Sequence, residues 1–144
     1  MNLKFVEWLV GFIIGLILGL LMILAVTEKE VYGYEYTPSD MVLIGKIIEH
    51  EAPHESELGQ RLVIDTILNR VESDKFPNTV EDVLRQPGQY CNPKKYPQDG
   101  IYRLIAEEIY FRTNSEVLWY RTKRYHTYGI PIIKEGAHYF SGGI

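Results

Sequence analysis

From Trp8 to Val26 the chain carries no charged residue and almost no polar one. Nineteen residues of helix, at about 1.5 Å each, reach roughly 28 Å, close to the hydrocarbon thickness of a bilayer. A helix lying on a protein core would show a polar face, and this run shows none. It predicts one N-terminal transmembrane helix within residues 1–27. The rival reading is a cleaved signal sequence, whose apolar region spans about 7–15 residues before a small-x-small site. This run is longer, and Ala25-Val26-Thr27 is a poor cleavage site. Lys4 precedes the run, partly offset by Glu7, while Glu28, Lys29 and Glu30 follow it. These charges lean only slightly towards a cytoplasmic N-terminus. Gly11, Gly15 and Gly19 share one face, a spacing that suits homodimer contact between helices, although glycine is common in membrane helices anyway.

The remaining composition excludes some functions. A net charge of −4 offers no basic surface for nucleic acid. Cys91 is the only cysteine, so no internal disulfide forms, and a lone cysteine reads as structural before it reads as a nucleophile.

Residues 28–38 are charged and tyrosine-rich, with Gly33 and Pro38 opposing regular structure, and read as a linker. Residues 39–144 read as one domain. Ser39 or Thr37 caps a helix carrying Met41, Ile44, Ile47 and Ile48 on one side and ending near Glu51, before Pro53. A second helix is expected over 57–72, with Leu58, Leu62, Ile67, Leu68 and Val71 as its stripe. Thr79 with Asp82 starts a short helix that Pro87-Gly88 ends. Residues 87–100 form a long loop, which in a compact domain points to function. Asp99 is expected to cap another helix, with Ile101, Leu104 and Ile105 inward. Residues 117–120 and 137–140 read as strands. The result is an α+β domain, mainly helical, with a small C-terminal β-sheet.

Two chemistries compete over one stretch. His50-Glu51-Ala52-Pro53-His54 fits H-E-x-x-H, which on a helix holds zinc between two histidines. That pattern needs an unbroken helical turn, and Pro53 inside it costs about 3 kcal/mol or more. A zinc peptidase is therefore the weaker reading, and no metal or other cofactor is expected.

The stronger reading starts from Glu51-Ala52-Pro53-His54-Glu55-Ser56-Glu57-Leu58-Gly59-Gln60, an E-A-x-x-E-x-x-x-G-Q segment. Leu68-Asn69-Arg70-Val71, Phe76-Pro77-Asn78-Thr79-Val80, Gln86-Pro87-Gly88-Gln89-Tyr90 and Gly136-Ala137-His138-Tyr139-Phe140 follow in order. Together these resemble the SleB-type cell-wall hydrolases, the spore cortex-lytic enzyme family, over about residues 41–140. The resemblance implies a lysozyme-like fold, cleavage of peptidoglycan glycan strands outside the cytoplasmic membrane, and Glu51 as catalytic acid. It also implies lytic transglycosylase chemistry, which leaves a 1,6-anhydro-muramic end.

Bond cleavage of this kind needs a proton delivered to the leaving oxygen, and a carboxyl in an apolar setting holds one near neutral pH. Glu51, flanked by Ile47, Ile48 and Ala52, suits that task. A hydrolase needs a second carboxylate; Asp65 and Glu55 are the candidates, with Glu57 behind them. A transglycosylase manages with one, because the sugar's own C6 hydroxyl attacks. Tyr90, Tyr120 and Tyr125 are candidate sugar-stacking rings, and His126 and His138 candidate cleft hydrogen-bonders. Trp119 reads as core. Arg121, Lys123 and Arg124 form a small basic run suited to peptide carboxylates or plain solvation. The alternative from another class is a tethered wall-binding module without catalysis.

Overall fold

The computed structural model describes residues 2–27, 33–91 and 94–143, without the side chains of 5 and 18–27. Residues 28–32 of the expected linker lie outside the described residues. The chain divides into two units, 1–32 and 33–144.

In the first unit, α1 runs Leu3–Thr27. Most of its described apolar side chains, among them Trp8, Phe12, Ile13 and Leu16, are exposed. Among the described residues no helix is long and apolar enough to cross a membrane. The predicted span reaches past the last described side chain, Ile17, and Gly19 of the glycine face lies beyond that point too. The membrane anchor therefore remains an expectation of the sequence.

The second unit contains α2 (Pro38–Glu51), α3 (Glu57–Glu72), α4 (Val80–Leu84), α5 (Asp99–Tyr110), β1 (Val117–Thr122), β2 (Ile130–Glu135) and β3 (His138–Gly142). Three helices begin on local caps. Thr37 and Asp40 form a reciprocal capping box at α2, Ser56 Oγ accepts the Gly59 amide at α3, and Thr79 Oγ1 accepts the Asp82 amide at α4. The fourth start differs from expectation. Gln98, not Asp99, is the N-cap of α5, and its side chain makes no capping bond. Its amide instead donates to Glu49 Oε1 at 3.1 Å, so a residue of α2 fixes where α5 begins. The close approach continues at Gly45, where an added Cβ would stand 2.6 Å from Pro97 Cγ.

Ile44, Ile48, Leu62, Val63, Ile67, Leu68, Ile105 and Phe140 form the centre of the core, fully buried between α2, α3, α5 and the sheet. The sheet order is β1-β3-β2, antiparallel throughout. The sequence reading had two strands, and β2 is a third. Pro131 sits in it, which an edge strand tolerates because the missing amide faces away from the ladder. The register pairs His138 with Thr122 on one side and Glu135 on the other.

Candidate active site

Glu51 is the last residue of α2, and its side chain is about 25% exposed. The helix stops there for a covalent reason: Pro53, two residues on, cannot donate to a continuing ladder. His54 therefore lies in a turn beyond the helix and does not share a helical face with His50. That separation removes the geometry on which the H-E-x-x-H zinc reading depends.

A cavity of about 250 Å³ opens beside Glu51, lined also by Arg70, Gln89, Tyr90, Tyr120, Arg121, Thr122 and His138. Among the described residues lining it, Glu51 is the only carboxylate. The cavity wall is unusual in its polar bookkeeping. The Tyr90 hydroxyl, the Tyr120 hydroxyl and His138 Nδ1 are buried with no hydrogen-bond partner among the described residues. Each unmade bond costs about 1–3 kcal/mol, so a site lined by three of them is built to receive hydrogen-bonding groups. Burial pushes the Tyr90 hydroxyl up to about 12, opposed by Arg70 and reinforced by the Glu51 charge. Burial raises Tyr120 well above its ordinary value too, with Tyr90 and Glu51 adding to it. Both phenols stay neutral donors. The Tyr120 ring meets His138 edge-on at 5.1 Å and Tyr90 at 6.4 Å.

Each segment singled out in the sequence has a physical task around this cavity. Gln60 Nε2 donates to the Ala52 carbonyl at 3.0 Å and ties down the turn after Glu51. The Glu55 carboxylate accepts the Ala137 amide at 3.2 and 3.3 Å and stands 3.6 Å from His138 Nδ1. A Cβ at Gly136 would fall 1.6 Å from Glu55 Oε2, so only glycine, here at φ +53°, lets the carboxylate reach the β2–β3 turn. Asn69 Nδ2 donates to the Asn114 and Val117 carbonyls at 2.9 and 2.8 Å. Arg70 Nε donates to the Leu118 carbonyl at 2.6 Å and Nη1 to Gln89 Oε1 at 2.9 Å. Its guanidinium also lies over the Phe76 and Tyr90 rings. Asn69 and Arg70 thus clip α3 to β1 and carry the loop with Tyr90 to the cavity.

The other expected site residues lie elsewhere. Asp65 is fully buried, and its Oδ2 accepts the Asn114 amide at 2.7 Å. Burial and the neighbouring Glu108 push its carboxyl up to about 8. Burial alone would raise Glu108 as well, but hydrogen bonds from Asp65, Arg61 and Thr113 outweigh it and hold Glu108 low. Asp65 Oδ1 is buried with no hydrogen-bond partner among the described residues. Asp65 is a core residue with no place in the cavity wall. Tyr125 packs edge-on against Tyr139 at 5.1 Å, and His126 stacks on Tyr128 at 4.6 Å. Neither lines the cavity, although His126 Nε2 approaches the Tyr120 carbonyl at 3.4 Å. Trp119 is core, between Phe76 and Tyr128. Cys91 is exposed, against the structural expectation for a lone cysteine. Gln89, Arg121 and Thr122 join the site through the fold. The Gln86–Tyr90 motif and the basic run beginning at Arg121 signalled the first two beforehand, and nothing in the sequence signalled Thr122.

Comparison with known proteins bears on the family and the fold. The family described as Cell Wall Hydrolase matches residues 54–140. Two curated spore cortex-lytic enzymes of Bacillus cereus are 42% identical over 52 residues, which is 36% of this chain and 20% of theirs. The match therefore spans about a fifth of those relatives' length. The catalytic domain of the Bacillus cereus SleB protein is similar in structure, with a TM-score of 0.67 and 27% identity. That similarity covers 75% of this chain and 93% of the domain. The catalytic domain of the germination-specific lytic transglycosylase SleB from Bacillus anthracis gives a TM-score of 0.65 and 27% identity, covering 75% of this chain and 98% of the domain.

Proposed function

Since this chain belongs to the Cell Wall Hydrolase family, we propose that it is a peptidoglycan-cleaving lytic enzyme that cuts glycan strands with Glu51 as catalytic acid. The observation that carries this is the cavity where Glu51 meets three buried, unpartnered polar groups, Tyr90, Tyr120 and His138. Sugar hydroxyls and acetamido groups are the partners that such a wall accepts.

The chemistry is that of a lytic transglycosylase. Glu51 donates its proton to the glycosidic oxygen and the C1–O bond breaks. The resulting carboxylate then takes the proton of the same sugar's C6 hydroxyl, whose oxygen bonds to C1 and closes the 1,6-anhydro ring. Hydrolases of this type pair two carboxylates across the bond. Here Glu51 stands as the one carboxylate among the described cavity-lining residues, which supports intramolecular attack over water. Mass spectrometry of fragments released from purified walls tests it: anhydro-muramic ends are expected, and reducing ends alone would overturn the transglycosylase reading.

The charge-free run Trp8–Val26 supports a single-pass anchor, with the catalytic unit outside the cytoplasmic membrane where peptidoglycan lies. The face of Gly11, Gly15 and Gly19 supports pairing of two such helices.

A further inference from the structure

The last turn of α2 and the loop after Pro87 bring three metal-binding side chains together. Ligand atoms of His50, Glu51 and Cys91 all lie within 4.8 Å of one another. His50 Nε2 stands 4.0 Å from Glu51 Oε1. His50 and Cys91 are exposed and Glu51 is half-buried, so their side chains can turn without disturbing the core. In a tetrahedral zinc site, bonds of about 2.0–2.3 Å put neighbouring ligand atoms roughly 3.3–3.7 Å apart. A closure of about 1 Å, within reach of ordinary side-chain rotation, makes the trio a ligand set. Imidazole, carboxylate and thiolate together suit a thiophilic cation, whereas Mg²⁺ and Ca²⁺ prefer oxygen alone. Cys91 occupies the place that His54, beyond the end of α2, cannot fill.

We propose that His50, Glu51 and Cys91 form a reversible inhibitory site for a thiophilic divalent cation of the Zn²⁺ type. On binding, the thiol proton leaves to solvent. The metal takes the Glu51 carboxylate, which then carries no proton for the glycosidic oxygen. The inhibition rests on Glu51 being the acid; the site itself does not.

Cobalt(II) titration of the full chain in detergent reads the site directly, because a Co–thiolate bond absorbs in the near ultraviolet. One equivalent of cobalt is expected to give that band, and Zn²⁺ to displace it. Cys91→Ser removes the band. His50→Ala weakens cobalt binding about tenfold or more, since losing a direct ligand costs at least what losing its supporting shell does. In a wall-lysis assay Zn²⁺ slows the wild type and EDTA restores it, while Cys91→Ser keeps its basal rate at the same Zn²⁺. Absence of the thiolate band, or equal zinc inhibition of wild type and Cys91→Ser, overturns the proposal. The Glu51→Gln variant separates the two ideas. If it is inactive and no band forms in the wild type, the metal site falls and the acid stands. If the band forms but Glu51→Gln still lyses walls, the acid assignment falls and the inhibitory role falls with it.

Discussion

Glu55 reaches across 82 positions of sequence to accept the Ala137 amide with both carboxylate oxygens, at 3.2 and 3.3 Å. The contact joins the turn that follows Glu51 to the turn that presents His138, and so sets one wall of the cavity against the other. Glu55 does not line that cavity. Its work is to hold the frame. Replacing it by alanine leaves the Ala137 amide without this acceptor and should destabilise the domain by about 1–3 kcal/mol. Glu55→Gln keeps an acceptor and should recover most of the loss. Urea midpoints of the two variants check this, and equal midpoints for wild type and Glu55→Ala would show that the contact holds nothing.

Glu51→Gln should lower wall lysis by at least about 100-fold while leaving the fold intact, because the amide keeps the shape but delivers no proton. The turbidity of purified walls and a circular dichroism spectrum are the two readouts. A variant that lyses at the wild-type rate with an unchanged spectrum would remove Glu51 from the mechanism.

The buried Asp65 makes stability depend on pH in a stated direction. Its folded carboxyl titrates near 8 against an ordinary 3.8, so the folded state holds an extra proton between those values. Stability contributed by this group is complete below the unfolded value and declines as pH rises towards 8. Asp65→Asn mimics the protonated acid and keeps an acceptor for the Asn114 amide. Between pH 5 and pH 8.5 the variant should gain on the wild type by up to about 4 kcal/mol. Paired thermal melts at the two pH values decide it, and a constant difference would mean that Asp65 is ionised in the fold.

Turnover should need no metal. The double variant His50→Ala plus His54→Ala should retain most of the wild-type lysis rate, since the two imidazoles do not face one another along a helix. A loss of activity in EDTA that zinc restores would return the peptidase chemistry to consideration.

Residues 28–144 alone should be soluble and active, while the full chain fractionates with membranes. Residues 33–144 form a compact unit of their own, and nothing after Val26 in the sequence is a comparably long apolar run. A reporter fused after Ile144 should register outside the cytoplasm. A cytoplasmic reporter, with no release of the anchor, would leave the enzyme unable to reach its substrate.

The sequence by itself determined everything that rests on nearest neighbours along the chain. Apolar spacing marked α2 and α3, with Thr37 or Ser39 at the first start, and Thr79 with Asp82 marked α4, because capping bonds reach only three residues. Pro53 marked the end of α2 and placed Glu51 there. The order of short motifs marked the family. What the tertiary structure decided was every relation between distant segments. Gln98 caps α5 because Glu49 on another helix receives its amide. Ile130–Glu135 becomes a strand because β3 offers it an edge, although Pro131 obscures the pattern. Tyr120 and His138 enter the cavity while Tyr125 and His126 turn aside. Strand pairing sets Tyr120 of β1 near His138 of β3, whereas Tyr125 and His126 lie in the loop between β1 and β2, outside the strand register. Asp65 and Glu51 are both carboxylates on largely apolar helices. Only packing puts one beside Glu108 in the core and the other on an open wall.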